Sequence, residues 1–133
     1  MTESNKKYKF SKQPVGLLET GFHDLQFTYY INKQNEKGDR IQFQFKAIKN
    51  PKLTIFRTFS SVLTYRNPLG QFIRMLLGNN NLRKEDFEDV STLKNSIESK
   101  RGAIYRAYVT TNGACTWNNI ENIQLIKDDI ELN

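Results

Sequence analysis

The chain holds one histidine, His23, and one cysteine, Cys115. These two residues cannot assemble a Cys/His metal site, and a lone thiol makes no intramolecular disulfide. His23 alternates with Leu25 and Phe27, which reads as a structural strand position. Cys115 opens a hairpin strand with no second histidine-like helper, so a packed, inert thiol is expected. Glu85, Asp86, Glu88 and Asp89 form the one acidic cluster that resembles a two-metal nuclease. They alternate with Arg83, Lys84 and Phe87 as the solvated face of a short helix does. No Gly-rich phosphate loop is present. The expectation is a non-enzyme with no catalytic residue, metal or cofactor.

The residues suited to binding a polyanion are richer. Single-strand binders combine a cationic groove with aromatic side chains on which bases stack, and phosphate rewards Lys and Arg. In "RIQFQFKAI", 40–48, Ile41, Phe43, Phe45 and Ala47 alternate with Arg40, Gln42, Gln44 and Lys46. One face of this strand is apolar; the other carries cations and amides and no acid. Lys33, Lys37 and Arg40 stand around the preceding turn. Arg57 follows, with Phe56 or Phe59 beside it, then Arg106 and Tyr108 on one face of a later strand, and Trp117 past the last turn. The candidate nucleic-acid-binding set is Lys33, Lys37, Arg40, Gln44, Lys46, Arg57, Phe59, Arg106, Tyr108 and Trp117. The Phe59 assignment assumes regular alternation, which puts it on the ligand side with Arg57; a bulge within 53–62 would reverse its face. Regular alternation sends Ile55, Arg57 and Phe59 to one side, and Phe56 is then expected in the core.

Several elements must position these residues. GFHDLQFTYYINK, 21–33, reads as a long first strand, and NEKGD, 35–39, as a turn that pairs it with the second. LTIFRTFSSV, 53–62, is rich in β-branched and aromatic residues and reads as a third strand. Then the period changes. Asn67 and Pro68 suit an N-cap and first helical position. Leu69, Phe72, Ile73, Leu76 and Leu77 form one apolar stripe, and Gly78 suits the C′ position. A weaker helical pattern runs through Phe87, Val90, Leu93 and Ile97 within 84–101. AIYRAYVTT, 103–111, Asn112-Gly113 and CTWNNIENIQLI, 115–126, read as a closing hairpin.

This order predicts a mainly β fold: a five-stranded OB-fold-like barrel with a helical insertion between strands 3 and 4. A helix-capped antiparallel sheet and another small barrel are the other architectures that fit. The expected organisation is a basic lead-in, 1–19, one nucleic-acid-binding domain, 20–127, and a short acidic tail, 128–133.

Composition agrees. In 133 residues, 38% are hydrophobic and 12% aromatic, enough for one core and too much for a disordered chain. The formal charge is +6. Residues 1–60 hold 11 Lys/Arg against 5 Asp/Glu, whereas residues 61–133 hold 9 of each. A basic half suggests a polyanionic partner. The start, MTESNKKYK, lacks the apolar stretch of a signal peptide, and no apolar run approaches the roughly 20 residues of a membrane span.

Four stretches carry a likeness to a known group: "PVGLLETGFHDLQF", "IFRTFSSV", "NPLGQFIRMLLG" followed by "EDFEDVSTLKNSI", and "RAYVTTNGACTWNNIENI". Over about residues 14–126 the chain resembles phage and mobile-element single-stranded DNA-binding proteins of the OB-fold type. The resemblance implies largely sequence-independent binding of displaced single strands in replication and recombination, in the cytoplasm of a bacterial host. Some such proteins end in an acidic tail that docks partners, and "DDIEL" is similar to it, though shorter and without a long linker. Single-stranded DNA is the expected partner; replication or recombination proteins and self-association stay open, and no membrane partner is expected. The alternatives are an accessory factor that binds a helicase or recombinase, and an RNA-binding OB domain.

Overall fold

The computed structural model describes residues 17–36, 38–78, 83–112 and 118–128. Five strands form one antiparallel sheet: β1 (Gly21–Asn35), β2 (Gly38–Ala47), β3 (Thr54–Ser60), β4 (Ile104–Thr111) and β5 (Asn118–Lys127). Their spatial order is β3-β2-β1-β4-β5. β1 is the hub. Its later part pairs with β2, and its first six residues, Gly21–Gln26, pair with β4. The sheet curls so that some Cα atoms of the edge strands β3 and β5 approach within 8 Å. No hydrogen-bonded ladder joins those two edges among the described residues.

Two helices lie between β3 and β4: α1 (Pro68–Leu77) and α2 (Val90–Glu98), with a 3-10 turn at Lys84–Phe87 between them. The Asn67 side chain accepts from the Gly70 N–H at 2.9 Å, and Pro68 opens α1, as the cap pattern predicts. Gly78 closes α1 in the left-handed region at φ 62°. Gly70 is required for a steric reason, since a Cβ there would stand 2.0 Å from the Thr64 carbonyl oxygen. The second helical pattern is split rather than continuous. Asp86 accepts from the Arg83 N–H at 2.8 Å and Asp89 from the Thr92 N–H at 3.1 Å. Two members of the acidic cluster are thus helix-end acceptors. Val90 begins α2 on the exposed side; Phe87, Leu93 and Ile97 are buried.

The core lies on the concave side of the sheet, closed by α1. Ile41, Phe43, Phe45 and Ala47 all point into it, as the alternation of β2 requires. Phe72 from α1 sits 5.0 Å from Phe43 and 5.1 Å from Phe59, ring centre to ring centre. The Tyr105 hydroxyl donates to the Leu76 carbonyl oxygen, joining β4 to α1. Burial pushes its pKa well above the usual tyrosine value, with the Asp128 charge adding to the shift. Leu18 is also buried in this core, and its N–H donates to Asn118 Oδ1 at 2.8 Å. At the other end of the chain, Asp128 meets Lys100 Nζ at 2.7 Å. Residues 1–16 of the expected lead-in and 129–133 of the expected acidic tail lie outside the described residues. No described helix is long and apolar enough to cross a membrane.

One expectation is overturned in β3. The strand alternates without a bulge opposite β2, so Ile41 faces Phe59 and Phe45 faces Ile55. That register places Ile55, Arg57 and Phe59 on the core side. Phe59 is 6% exposed and packs against Phe43 and Phe72, where no base can reach it. Phe56, expected inside, is 43% exposed on the outer side.

Candidate nucleic-acid interface

The convex side of the sheet is built by the residues that β1, β2 and β3 do not send inward. In an antiparallel ladder, directly paired residues share a face. The Phe56–Gln44–Tyr29 row therefore runs across β3, β2 and β1, flanked by Thr58–Gln42–Ile31 and by Ser60–Arg40–Lys33. Strands about 4.8 Å apart put the two aromatic positions roughly 10 Å from each other, with Gln44 between them. Tyr29 is 39% exposed. Gln44 Nε2 donates to Gln42 Oε1 at 2.9 Å, and Gln42 Nε2 to Thr58 Oγ1 at 3.4 Å. The Gln44 amide thus lies between the two aromatic positions and is tied to the neighbouring row through Gln42 and Thr58.

Tyr29 is on this face because of one irregularity. The β1–β2 register shifts between Phe27 and Tyr29. Phe27 points inward, and strict alternation would send Tyr29 inward too. The extra residue, Thr28, breaks that parity. Tyr29 then pairs with Gln44 on the outside, and Tyr30 takes the inner position 5.9 Å from Phe43. Partial burial raises the Tyr30 pKa, and the Glu98 charge adds to the effect. Thr28 Oγ1 donates to the Gln44 carbonyl at 2.9 Å, and Arg101 Nε donates to the Thr28 carbonyl at 2.7 Å. The Arg101 guanidinium stands 6.0 Å from the Tyr29 ring centre, so one side chain both holds the bulge and flanks the exposed ring.

Lys33, Arg40 and Lys46 border the strip, and Arg101 adds a fourth cation. The nearest acids stand aside: Asp39 takes the opposite parity at the hairpin end, and Glu98 meets Arg101 at 3.3 Å. Arg57 lies on the core side with its guanidinium 4.5 Å above Phe59, and its Nε is buried without a hydrogen-bond partner among the described residues. It does not share the face of Gln44 and Lys46.

Arg106 and Tyr108 occupy a separate part of the convex side. Their β1 neighbours are Asp24 and Phe22. Arg106 Nε meets Asp24 at 3.2 Å, and Phe22 packs edge-on against Tyr108 with ring centres 5.1 Å apart. The sequence-derived set therefore divides. Lys33, Arg40, Gln44 and Lys46 come together; Arg106 and Tyr108 form a second patch; Arg57 and Phe59 face inward. Lys37 and Trp117 lie outside the described residues, as does Cys115. His23 Nε2 sits 2.7 Å from the Glu19 carbonyl oxygen.

Tyr29, Arg101 and Phe22 were missed by sequence reasoning, and Phe56, named beside Arg57, was assigned to the core. The adjacent Tyr29-Tyr30 pair shows that one ring must face outward, but nothing in the sequence says which, because that depends on the bulge at Thr28. Arg101 had no signal, being remote in sequence from the ring it flanks.

No protein-family model matches the chain, and no curated protein matches it.

Proposed function

We propose that the chain is an OB-like barrel domain that binds single-stranded DNA largely without regard to sequence, and that it performs no catalysis. The observation that carries the reading is the Phe56–Gln44–Tyr29 row: two exposed rings with the Gln44 amide between them and cations at the border. Every base offers a π-face, so such rings accept any sequence, and the surrounding Lys and Arg take the phosphates. The strand order β3-β2-β1-β4-β5, with β5 curling back toward β3 and helices between β3 and β4, supports an OB-like arrangement. In that fold the face around strands two and three takes oligonucleotides. A role in phage or mobile-element replication or recombination rests on the resemblance alone. The exposed rings favour nucleic acid over a purely protein-binding accessory role, for which charge without stacking surface would suffice.

The test is fluorescence anisotropy with labelled single-stranded DNA, single-stranded RNA and duplex DNA of matched length, at two salt concentrations. Single strands should bind more tightly than duplex, and affinity should fall as salt rises. Equal affinity for duplex and single strands sinks the proposal; preference for RNA redirects it to the RNA-binding alternative.

A further inference from the structure

The second convex patch opens into a cleft where β1 begins. Phe22, Asp24 and Arg106 line it together with Ile48 and Lys49 from the segment after β2, and it encloses about 320 Å³. The Ile48 N–H donates to the Asp24 carbonyl at 3.0 Å, fixing that segment against β1. Single exposed apolar residues are ordinary on protein surfaces. Here three features converge. Phe22 is 69% exposed although its ring touches Tyr108, Ile48 is 45% exposed beside it, and two cations stand at the same cleft. Cavities of roughly 300 Å³ are at the small end of the range that takes small ligands.

We infer that this cleft is a second nucleotide subsite for the strand that crosses Tyr29 and Phe56: one unpaired base stacks on Phe22, and its phosphate meets Lys49 and Arg106. The inference rests on the single-strand-binding reading. Arg106 is held by Asp24 in the free protein, but both side chains are about half exposed. Such a pair is weak, so a phosphate can displace the carboxylate. Phe22 lies seven residues before Tyr29 on β1, at most roughly 23 Å along the strand. Even at the compact ~3.4 Å per nucleotide of a duplex strand, about seven nucleotides bridge the two patches, within the ~4–16 nucleotide footprint of OB folds.

The experiment compares oligothymidylates of 3 and 15 nucleotides. Phe22→Ala should weaken the 15-mer by roughly 5- to 150-fold, the range for loss of one stacked base, and leave the 3-mer within about twofold, because so short a strand on the Tyr29–Phe56 surface does not reach Phe22. Lys49→Ala should lower the salt slope for the 15-mer by roughly 0.7. Asp24→Asn should tighten the 15-mer by freeing Arg106. A Tyr29→Ala/Phe56→Ala double variant should weaken both lengths. If Phe22→Ala and Lys49→Ala both bind the 15-mer as the parent does while the double variant is weakened, the cleft is not a subsite and the main reading stands. If the double variant also binds normally, the single-strand reading itself fails. Phe22 and Lys49 lie at the surface, and circular dichroism melts confirm that each variant is folded.

Discussion

Phe59 and Phe56 stand three residues apart on one short strand and have opposite fates. Phe59 closes the core against Phe43 and Phe72, while Phe56 stands in solvent beside Gln44. Tyr30 and Tyr29 repeat the contrast on β1. In both pairs the residue type is uninformative. What decides is the partner across the ladder, Ile41 or Gln44, Phe43 or Gln44. Aromatic content in a small β domain is therefore two populations, one that holds the sheet to the helix and one free to meet a ligand. Substitutions that separate stability from binding test how sharp this division is.

The largest effect should come from the inner population. Phe43→Ala removes a fully buried ring and should cost about 3–5 kcal/mol in a denaturant melt. Phe59→Ala should cost nearly as much, and its folded fraction should keep the parent's affinity for single-stranded DNA. If Phe59→Ala instead stays fully stable and loses binding, the register of β3 is wrong by one residue. Next comes the outer population. Phe56→Ala and Tyr29→Ala should each lose roughly 1–3 kcal/mol of binding by titration with the melting midpoint nearly unchanged. Tyr30→Ala should show the reverse, losing stability first.

A smaller effect tests the device that separates Tyr29 from Tyr30. Arg101→Ala deletes the hydrogen bond to the Thr28 carbonyl and should cost on the order of 1 kcal/mol of stability, together with a modest loss of binding because the flanking cation is gone. The smallest effect concerns pH and α2. The Thr92 backbone N–H, and then its hydroxyl, hold the Asp89 carboxyl below the usual carboxylate range. A lowered pKa in the folded state means that this cap contributes fully at neutral pH and fades as pH falls through the depressed value. Asp89→Ala should therefore lower the melting midpoint slightly at pH 7, with the difference from the parent closing in acid.

Much of the architecture was legible. β2 announced its two faces because its alternation is unbroken, and α1 announced both ends through Asn67-Pro68 and Gly78. The acidic residues of 85–89 lie at the surface as expected, but the single short helix expected to carry them is a 3-10 turn that ends at Phe87, with Asp89 capping α2, and that break left no clear trace. The candidate interface was legible only where it lay on β2. Parity on β3 could not be read, since TIFRTFS has an aromatic on each face and only its ladder partners choose between them. Parity on β1 depended on a single inserted residue. The division between the Tyr29 and Phe22 patches was hidden for a different reason: it follows from β1 changing partners along its length, which no local pattern records.

That change of partners also sets a clock. Asp24 and Arg106 face each other across 82 residues of chain. On a ribosome adding about 5–20 residues per second, β1 waits roughly 4–16 s between the appearance of Asp24 and that of its β4 partner. In the later part of that interval, after Ser60 has been added, the β1–β2–β3 meander can close while the first part of β1 still presents a row of unpaired backbone groups to neighbouring nascent chains. An open edge of this kind templates pairing with the wrong molecule. The polar side chains of His23 and Asp24 sit in that stretch, and a charge on a waiting edge deters such pairing. Asp24, a partner of Arg106 in the finished protein, puts a charge on that edge before Arg106 exists.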